Sequence, residues 1–175
     1  VLSDEVGGPP AYPYQPANLY KGNVVAADYP GTSYTESQGS DRYRRSLYTF
    51  WKRTVPHPTL ATFDAPDREV CVARRLRTNT PLQALALMND PIQVDAAQHL
   101  ARRMVREGGA SPAERVRFAF QLATGRLPAA DEVRVIEALF AKRLAGAAQG
   151  PDATHAAYVH VASLILNLDE TITRN

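Results

Sequence analysis

Cysteine is almost absent from this 175-residue sequence, and its scarcity excludes several classes of protein. The single cysteine, Cys71, cannot build an internal disulfide framework or a multi-cysteine metal cage, and no Cys-x-x-Cys-His motif for covalent haem attachment is present. No apolar run approaches the roughly 20 residues that a membrane-spanning helix needs. The sequence also lacks an initiator methionine and a signal-peptide pattern at Val1, so we expect a piece of a larger protein.

A strong overall charge is lacking too, because the net charge is only +2, but the charges are unevenly distributed. Residues 1–41 carry a net charge of −4, residues 42–77 carry +6, and residues 78–175 are neutral. Arginine supplies 17 of the 20 cations, and its planar guanidinium suits bidentate pairing with carboxylates or phosphates. The basic segment could therefore face an anionic ligand, nucleic acid included, or pair with acids elsewhere. We favour the second interpretation.

The first half of the chain is predicted to be mostly extended. Residues 1–41 are rich in proline and glycine, which forbids a long helix and predicts an arm that wraps onto the rest of the protein. In the basic segment, residues 42–79, the aromatic and partly β-branched run Ser46–Trp51 predicts a short strand. A helix that starts near Asp41 is the alternative for this region.

The second half, residues 80–175, has clear signals for helix starts. Capping residues stand directly before prolines at positions 80–81, 90–91 and 111–112, and Gln83 and Glu114 complete two capping boxes. Helices are predicted over residues 81–88, 91–106, 112–124, 130–145 and 152–168. The predicted fold class is mainly α: one domain with an irregular bundle of about five helices over residues 80–169, on which the extended, partly β N-terminal segment packs.

Apolar side chains at helical spacing predict the buried face of each helix. The side chains expected in the core are Ile92, Ala96, Leu100, Met104, Val116, Ala119, Phe120, Ala123, Val133, Ile136, Phe140, Leu144, Val159, Ala162 and Leu166, with Leu164 and Ile165 flanking the last of these.

The densest polar cluster runs from Asp64 to Asn79. Asp64 and Asp67 are the candidates for a catalytic pair of carboxylates, which requires one acid to be desolvated and the other solvated. The alternative, which we favour, is that each aspartate forms an Asx-type turn. A ligand-binding set is predicted in the same segment, and it comprises Arg68, Arg74, Arg75, Arg77 and Asn79.

The remaining reactive side chains offer little chemistry. Cys71 stands in a short apolar run and is predicted to be a small buried hydrophobe, because a catalytic thiol needs a positioned base and only His57 precedes the bundle. Among the other histidines, His155 and His160 are five positions apart and fall on different faces of a helix, so no histidine metal site is expected. The sequence also has no Gly-rich phosphate loop and no nucleophile elbow.

Six segments, taken together, carry a family resemblance. They resemble, in order and spacing, the C-terminal end of the planctomycete PSD-type domain, domain of unknown function 1553, over nearly the whole chain. The segments are Gly7–Pro10 with Tyr14–Pro16, Tyr43–Tyr48, Phe63–Pro66, Arg77–Leu85 with Asn89–Pro91, Leu122–Arg126 and Leu166–Glu170.

The resemblance implies a module at the end of a large protein that is exported to the cell envelope. The N-terminal part of such proteins often carries a c-type haem domain, so any haem would belong to the part of the parent protein outside this chain, and no cofactor is expected here. The family has no established activity, and so no catalytic residue is carried over.

We therefore expect a helical C-terminal module with an accessory, structural or ligand-positioning role and no catalysis of its own. Its expected partner is the remainder of the parent protein. In the alternative function, the segment Asp64–Asn79 contributes to a shared active site that acts on an anionic envelope polysaccharide. Nucleic acid is not expected as a partner, because the arginines lie in no recognised motif.

Overall fold

A computed structural model of the chain describes residues 3–17, 19, 33–52, 55–67, 69–74, 76, 78–146 and 151–172. Among these residues it contains seven α-helices and no β-strand, so the prediction of a mainly α protein is confirmed. The chain divides into two compact units, residues 1–83 and residues 84–175.

The N-terminal unit has little regular structure. It contains two short 3₁₀ turns, Gly39–Tyr43 and Ser46–Tyr48, and one short helix, α1 (Pro58–Thr62). Extended residues near the N-terminus form two isolated bridges, Ser3 with Arg44 and Ala11 with Thr49. At the second bridge, the Ala11 N–H donates to the Tyr48 carbonyl at 2.7 Å, and the Phe50 N–H donates to the Ala11 carbonyl at 2.8 Å.

The strand predicted over Ser46–Trp51 is wrong. Residues 46–48 form a 3₁₀ turn that the bond from the Thr49 N–H to the Ser46 carbonyl closes at 3.2 Å, and pairing with the arm is confined to an isolated bridge. The physical reason lies in the arm, where Pro9 and Pro13 occupy the positions two residues before and two residues after Ala11 that would continue the pairing. Prolines have no N–H to donate, so a ladder cannot propagate in either direction from this bridge.

The predicted caps of the next two helices are confirmed. Helix α2 (Pro81–Asn89) begins at a reciprocal box, in which the Thr80 hydroxyl accepts from the Gln83 N–H at 3.2 Å and the Gln83 amide oxygen accepts from the Thr80 N–H at 3.0 Å. Helix α3 (Pro91–Glu107) begins at Asp90, whose carboxylate accepts from the Ile92 N–H at 2.9 Å. Each cap satisfies backbone donors that a helix start leaves without partners.

Four further helices complete the described part of the chain: α4 (Pro112–Thr124), α5 (Ala130–Gly146), α6 (Pro151–Leu166) and α7 (Asp169–Ile172). The capping box predicted for α4 is present between Ser111 and Glu114. The same helix ends at Gly125, whose φ of 82° is the left-handed conformation that favours glycine. The five predicted helices end within two residues of the observed ends, whereas α7 was not predicted as a separate helix.

The core of the C-terminal unit lies among α3, α4, α5 and α6. Helix α3 packs against α4 and α6, and α6 packs against α4 and α5 as well. Tyr158 of α6 is fully buried, and its ring stacks on Phe140 of α5 with the ring centroids 4.4 Å apart. The Arg115 guanidinium donates to the Tyr158 hydroxyl at 3.2 Å, which satisfies the one polar atom of this buried side chain.

Most predicted core positions on α3, α4 and α5 are confirmed, but Leu144 at the end of α5 is exposed. On α6 the prediction is confirmed for Ala162 and the flanking Ile165, which are fully buried, but the centre of the buried face differs from the prediction. Its fully buried side chains include Tyr158, Val161 and Ile165, whereas Val159 and Leu166 are only partly buried.

Candidate functional site

Asp64, the first candidate acid, occupies a strained turn directly after α1. Its φ of 57° lies in the left-handed region, which costs energy for a residue other than glycine and persists only where the surroundings hold it. The carboxylate accepts from the Thr78 N–H at 2.8 Å and from the Thr78 hydroxyl at 2.8 Å and 3.0 Å. These bonds tie residue 64 to residue 78 and close the loop between them.

Gln83 organises the same turn from inside α2. Its side chain is buried, and the amide nitrogen donates to the Thr62 carbonyl and to the Thr78 hydroxyl, both at 2.9 Å. A longer contact, 3.5 Å, joins this nitrogen to the Asp64 carboxylate. Because the amide oxygen also accepts from the Thr80 N–H, one side chain connects the end of α1, the loop and the start of α2. The sequence predicted only the last of these bonds.

Asp67, the second candidate acid, serves its own local turn. Its carboxylate accepts from the Glu69 N–H at 3.1 Å, two residues further along, and the side chain is exposed. This is the Asx-type turn that the sequence favoured over catalysis. The two carboxylates therefore have separate hydrogen-bond partners.

The structure describes two of the five residues in the predicted ligand-binding set. Arg74 and Asn79 are exposed to solvent, while Arg68, Arg75 and Arg77 lie outside the described residues. The described part of the loop also presents apolar side chains to solvent, namely Val70, Val72 and Leu76. Those residues are in bends and irregular structure, so the segment provides no core of its own.

Cys71 is exposed, and the prediction that it is a small buried hydrophobe is wrong. Its neighbours Val70 and Val72 are exposed as well, because no helix or strand packs over this part of the loop. An apolar run of four residues favours burial, but burial also requires a neighbouring helix or strand that packs over the run. The local sequence does not show whether such a neighbour is present.

Arg44 makes a site that sequence reasoning missed. This arginine is buried, and its guanidinium donates to the Pro9 carbonyl at 2.9 Å and also to the Gly7 carbonyl. The guanidinium carbon lies 4.0 Å from the centroid of the Tyr48 ring, a cation–π distance. Two of the six resemblance segments are thus joined by direct contacts, since Arg44 and Tyr48 belong to one and Gly7 and Pro9 to the other.

The Tyr48 hydroxyl completes this arrangement by accepting from the Gly7 N–H at 3.1 Å. That bond lowers the pKa of the Tyr48 phenol, and the nearby Arg45 and Arg44 charges lower it further, against the opposing effect of desolvation. The phenol acts here as an acceptor that holds the arm. Two sequence features together indicate this contact. Arg44-Arg45 offers many N–H donors, and the carbonyls of the stretch Gly7–Pro10 accept no hydrogen bonds within a helix or strand.

The histidines do not converge. His57 is buried and its Nε2 lies 3.0 Å from the Tyr14 carbonyl, whereas His99 and His160 are exposed on separate helices. Among the described residues, no group of three histidine, cysteine, aspartate or glutamate side chains is placed to hold a metal ion. Covalent haem attachment does not fit this chain either, because it requires two cysteines and Cys71 is the only one.

No helix in the described ranges is long and apolar enough to span a bilayer.

Comparison with known protein families identifies the chain over most of its length. The sequence profile of a family described as PSD1, protein of unknown function (DUF1553), matches residues 1–140, a range that ends within α5. No curated protein and no solved structure matches the chain.

Proposed function

Because the chain belongs to the PSD1 (DUF1553) family, whose function is unknown, we propose that it is an accessory module that docks on the remainder of a larger parent protein. Its role in this proposal is structural or ligand-positioning, without catalysis of its own. The support comes from the acids of the 64–79 segment. Asp64 is bonded to Thr78 and Gln83 and holds the loop closed, and Asp67 is bonded within its own turn, so both carboxylates have structural partners.

The docking surface that we propose is the exposed face of α2. Leu82, Leu85 and Met88 follow one another at intervals of three residues and therefore share one side of the helix. All three are more than half exposed. Scattered single apolar side chains are ordinary on a protein surface, but three on one helical face make a surface that association would bury.

The experiment measures binding of this chain to the separately produced remainder of the parent protein by isothermal titration calorimetry. Leu85→Glu and Met88→Glu should weaken binding by at least about tenfold, because a charge enters an apolar interface without a partner. Val135→Glu is the matched control, since Val135 is also an exposed apolar residue in the middle of a helix, α5. If the two α2 variants bind as tightly as the control, the proposal is wrong.

As part of the same proposal, the parent protein is exported to the cell envelope of a planctomycete, and any c-type haem resides in the parent outside this chain. The support is the family resemblance, because such domains form the C-terminal end of large exported proteins. Immunoblotting of cell fractions from the producing organism tests the location, and recovery of the parent in the cytoplasmic fraction would contradict it.

The alternative function assigns the Asp64–Asn79 segment to a shared active site that acts on an anionic envelope polysaccharide. The observation that favours it is the solvent exposure of Arg74 and Asn79 in a segment that carries a net positive charge. The parent protein would then release reducing ends from a sulfated or uronic-acid polysaccharide. If Arg74→Ala abolished that release while the melting temperature stayed unchanged, the accessory role would be excluded.

A further inference from the structure

A cleft of about 340 Å³ opens between α5 and α6 in the C-terminal unit. Its lining comes from the last turns of α5 and from the middle of α6, and it comprises Lys142, Arg143, Gly146, Ala156, Ala157 and His160. Small residues at positions 146, 156 and 157 leave the space open, because larger side chains there would fill it. The volume lies within the range of small-molecule sites, at its lower end.

Every side chain of this lining that carries a polar group is basic. Lys142 and Arg143 approach from α5 and His160 from α6, and the lining contains no carboxylate. All three side chains are exposed, so the cleft is open to solvent. Three positive or protonatable groups around one concave surface concentrate a positive potential inside it.

Three other arginines of the same bundle pair with acids, unlike these cations. Arg103 pairs with Glu107, Arg126 with Glu132, and Arg134 with Asp131. Within the described ranges, no ion pair involves Lys142, Arg143 or His160. Their charges are consequently available to a ligand.

The helix dipole accounts for only part of the arrangement. Lys142 and Arg143 lie near the C-terminus of α5, where cations are favoured in any helix. His160 has no such reason, because it lies in the interior of α6, more than one turn from either end of that helix. A single explanation for all three residues is that they face a common anion.

We propose that this cleft binds a small molecule that carries an oxyanion, either a carboxylate or a phosphate, of about the size of one sugar residue. Arg143 offers two parallel N–H donors to the oxyanion, Lys142 adds a point charge, and His160 closes the opposite side. The floor formed by Ala156 and Ala157 contacts the uncharged body of the ligand. This site lies in the C-terminal unit and does not depend on the accessory role proposed above.

The experiment titrates the whole 175-residue chain with three probes: glucuronate, glucose 6-phosphate and glucose. Nuclear magnetic resonance chemical shifts of the backbone amides report both affinity and location. One or both anionic probes should bind saturably at about 0.15 M salt, with shifts concentrated at residues 142–146 and 156–160, and glucose should not bind. Which of the two anionic probes binds more tightly distinguishes a carboxylate ligand from a phosphate ligand.

Two variants of the cleft and two control variants locate the binding. Lys142→Ala combined with Arg143→Ala should weaken binding by about tenfold or more, since charge-assisted hydrogen bonds are lost. Ala156→Glu should abolish it by placing a carboxylate in the lining, whereas Thr154→Glu, which adds the same charge at an exposed position of α6 outside the lining, should change it little. Arg102→Ala removes an exposed cation from α3 and is the control for net charge.

The proposal is overturned if glucose binds as well as the anions, or if neither anion binds at this salt concentration. It is also overturned if Arg102→Ala and Thr154→Glu weaken binding as much as the variants of the cleft, because the attraction would then be diffuse. Since the substituted residues are exposed, circular dichroism spectra of all variants should match that of the unchanged chain.

Discussion

Arg126 pairs with Glu170, which lies 44 positions further along the chain, through two bonds of 2.8 Å each. The same guanidinium also pairs with Glu132 of α5, at 2.7 Å and 2.8 Å, and its carbon lies 4.7 Å from the centroid of the Phe120 ring. One side chain in the loop after α4 therefore connects α5 with α7 and covers an aromatic ring of the core. Four guanidinium N–H groups make this planar double pairing, which lysine cannot reproduce, and a further one donates to the Leu127 carbonyl at 3.2 Å.

Removal of this guanidinium should destabilise the bundle measurably. Arg126→Ala should lower the melting temperature by about 2–4 °C, a modest loss because Arg126, Glu132 and Glu170 are all partly exposed. Differential scanning fluorimetry measures the change. Arg134→Ala is the control, since its pair with Asp131 is almost fully solvated and should leave the melting temperature within about 1 °C. Equal effects of the two variants would contradict the special role of Arg126.

The same network should make the bundle sensitive to acid. The Arg126 guanidinium, followed by the Ala129 N–H, lowers the pKa of Glu132 from its ordinary value of 4.5 to about 2, and Arg126 also lowers the pKa of Glu170. Because these pKa values are depressed in the folded protein, the stabilisation is fully present above about pH 4.5 and is lost as the pH falls toward 2. Urea unfolding midpoints across this window measure the loss.

Glu132→Gln isolates the contribution of this network to the acid sensitivity. The variant should show a shallower decrease of stability between pH 4.5 and pH 2, although not a flat one, because Arg103 and Arg106 lower the pKa of Glu107 to about 2 as well. An unchanged slope in Glu132→Gln would show that the network does not titrate as described.

Substitutions at Asp64 should rank by backbone conformation and by hydrogen bonding to Thr78. Asparagine tolerates the left-handed region and keeps one acceptor, so Asp64→Asn should be the mildest change. Asp64→Ala loses every acceptor and is strained at this φ, and it should lower the free energy of unfolding by about 1–3 kcal/mol. Chemical denaturation measures the series, and Asp64→Gly should fall between the two. A stable Asp64→Ala variant would contradict the structural role of this aspartate.

Lysine at position 44 should loosen the N-terminal arm. Arg44→Lys keeps the charge but cannot donate to the Gly7 and Pro9 carbonyls in the same geometry. Hydrogen exchange should accelerate at the amides of Ser3 and Ala11, which bond to the Tyr43 and Tyr48 carbonyls. Arg74→Lys changes an exposed arginine in the same way and should leave these amides unaffected.

Cys71 should react with a thiol reagent in the folded chain as rapidly as in the unfolded chain, because its side chain is exposed. A disulfide reagent whose leaving group absorbs light follows the reaction directly. If the thiol reacted more than about tenfold more slowly in the folded chain than in the unfolded chain, Cys71 would be buried, as the sequence predicted.

Local signals in the sequence were sufficient to predict where the helices lie, but they were insufficient to predict which face each helix buries. The caps at Thr80, Asp90 and Ser111 act within three residues, so their chemistry is complete in the sequence. Helix α6 is apolar on most sides, and only its neighbours decide which side is buried. Tyr158 was missed for this reason, since its burial depends on the Phe140 ring and on a donor from Arg115.

The candidate site was harder to predict, because its contacts join distant residues. Gln83 was identified as a capping residue, yet its bonds to Thr62 and Thr78 depend on how the loop folds back. Likewise Arg44 was only one of nine cations in a basic segment, and the carbonyls to which it donates lie more than 30 positions away. Spacing in the sequence carries no information about such pairs.

The carbonyls that receive the Arg44 guanidinium determine where this protein can be cut. A recombinant fragment that starts after Pro10 would keep the buried guanidinium but remove both of its acceptors, and it would also remove the amide that bonds to the Tyr48 hydroxyl. The first ten residues look dispensable by composition, but deletion would leave donors without partners inside the N-terminal unit. Fragment boundaries chosen for expression or crystallisation should therefore lie before Ser3.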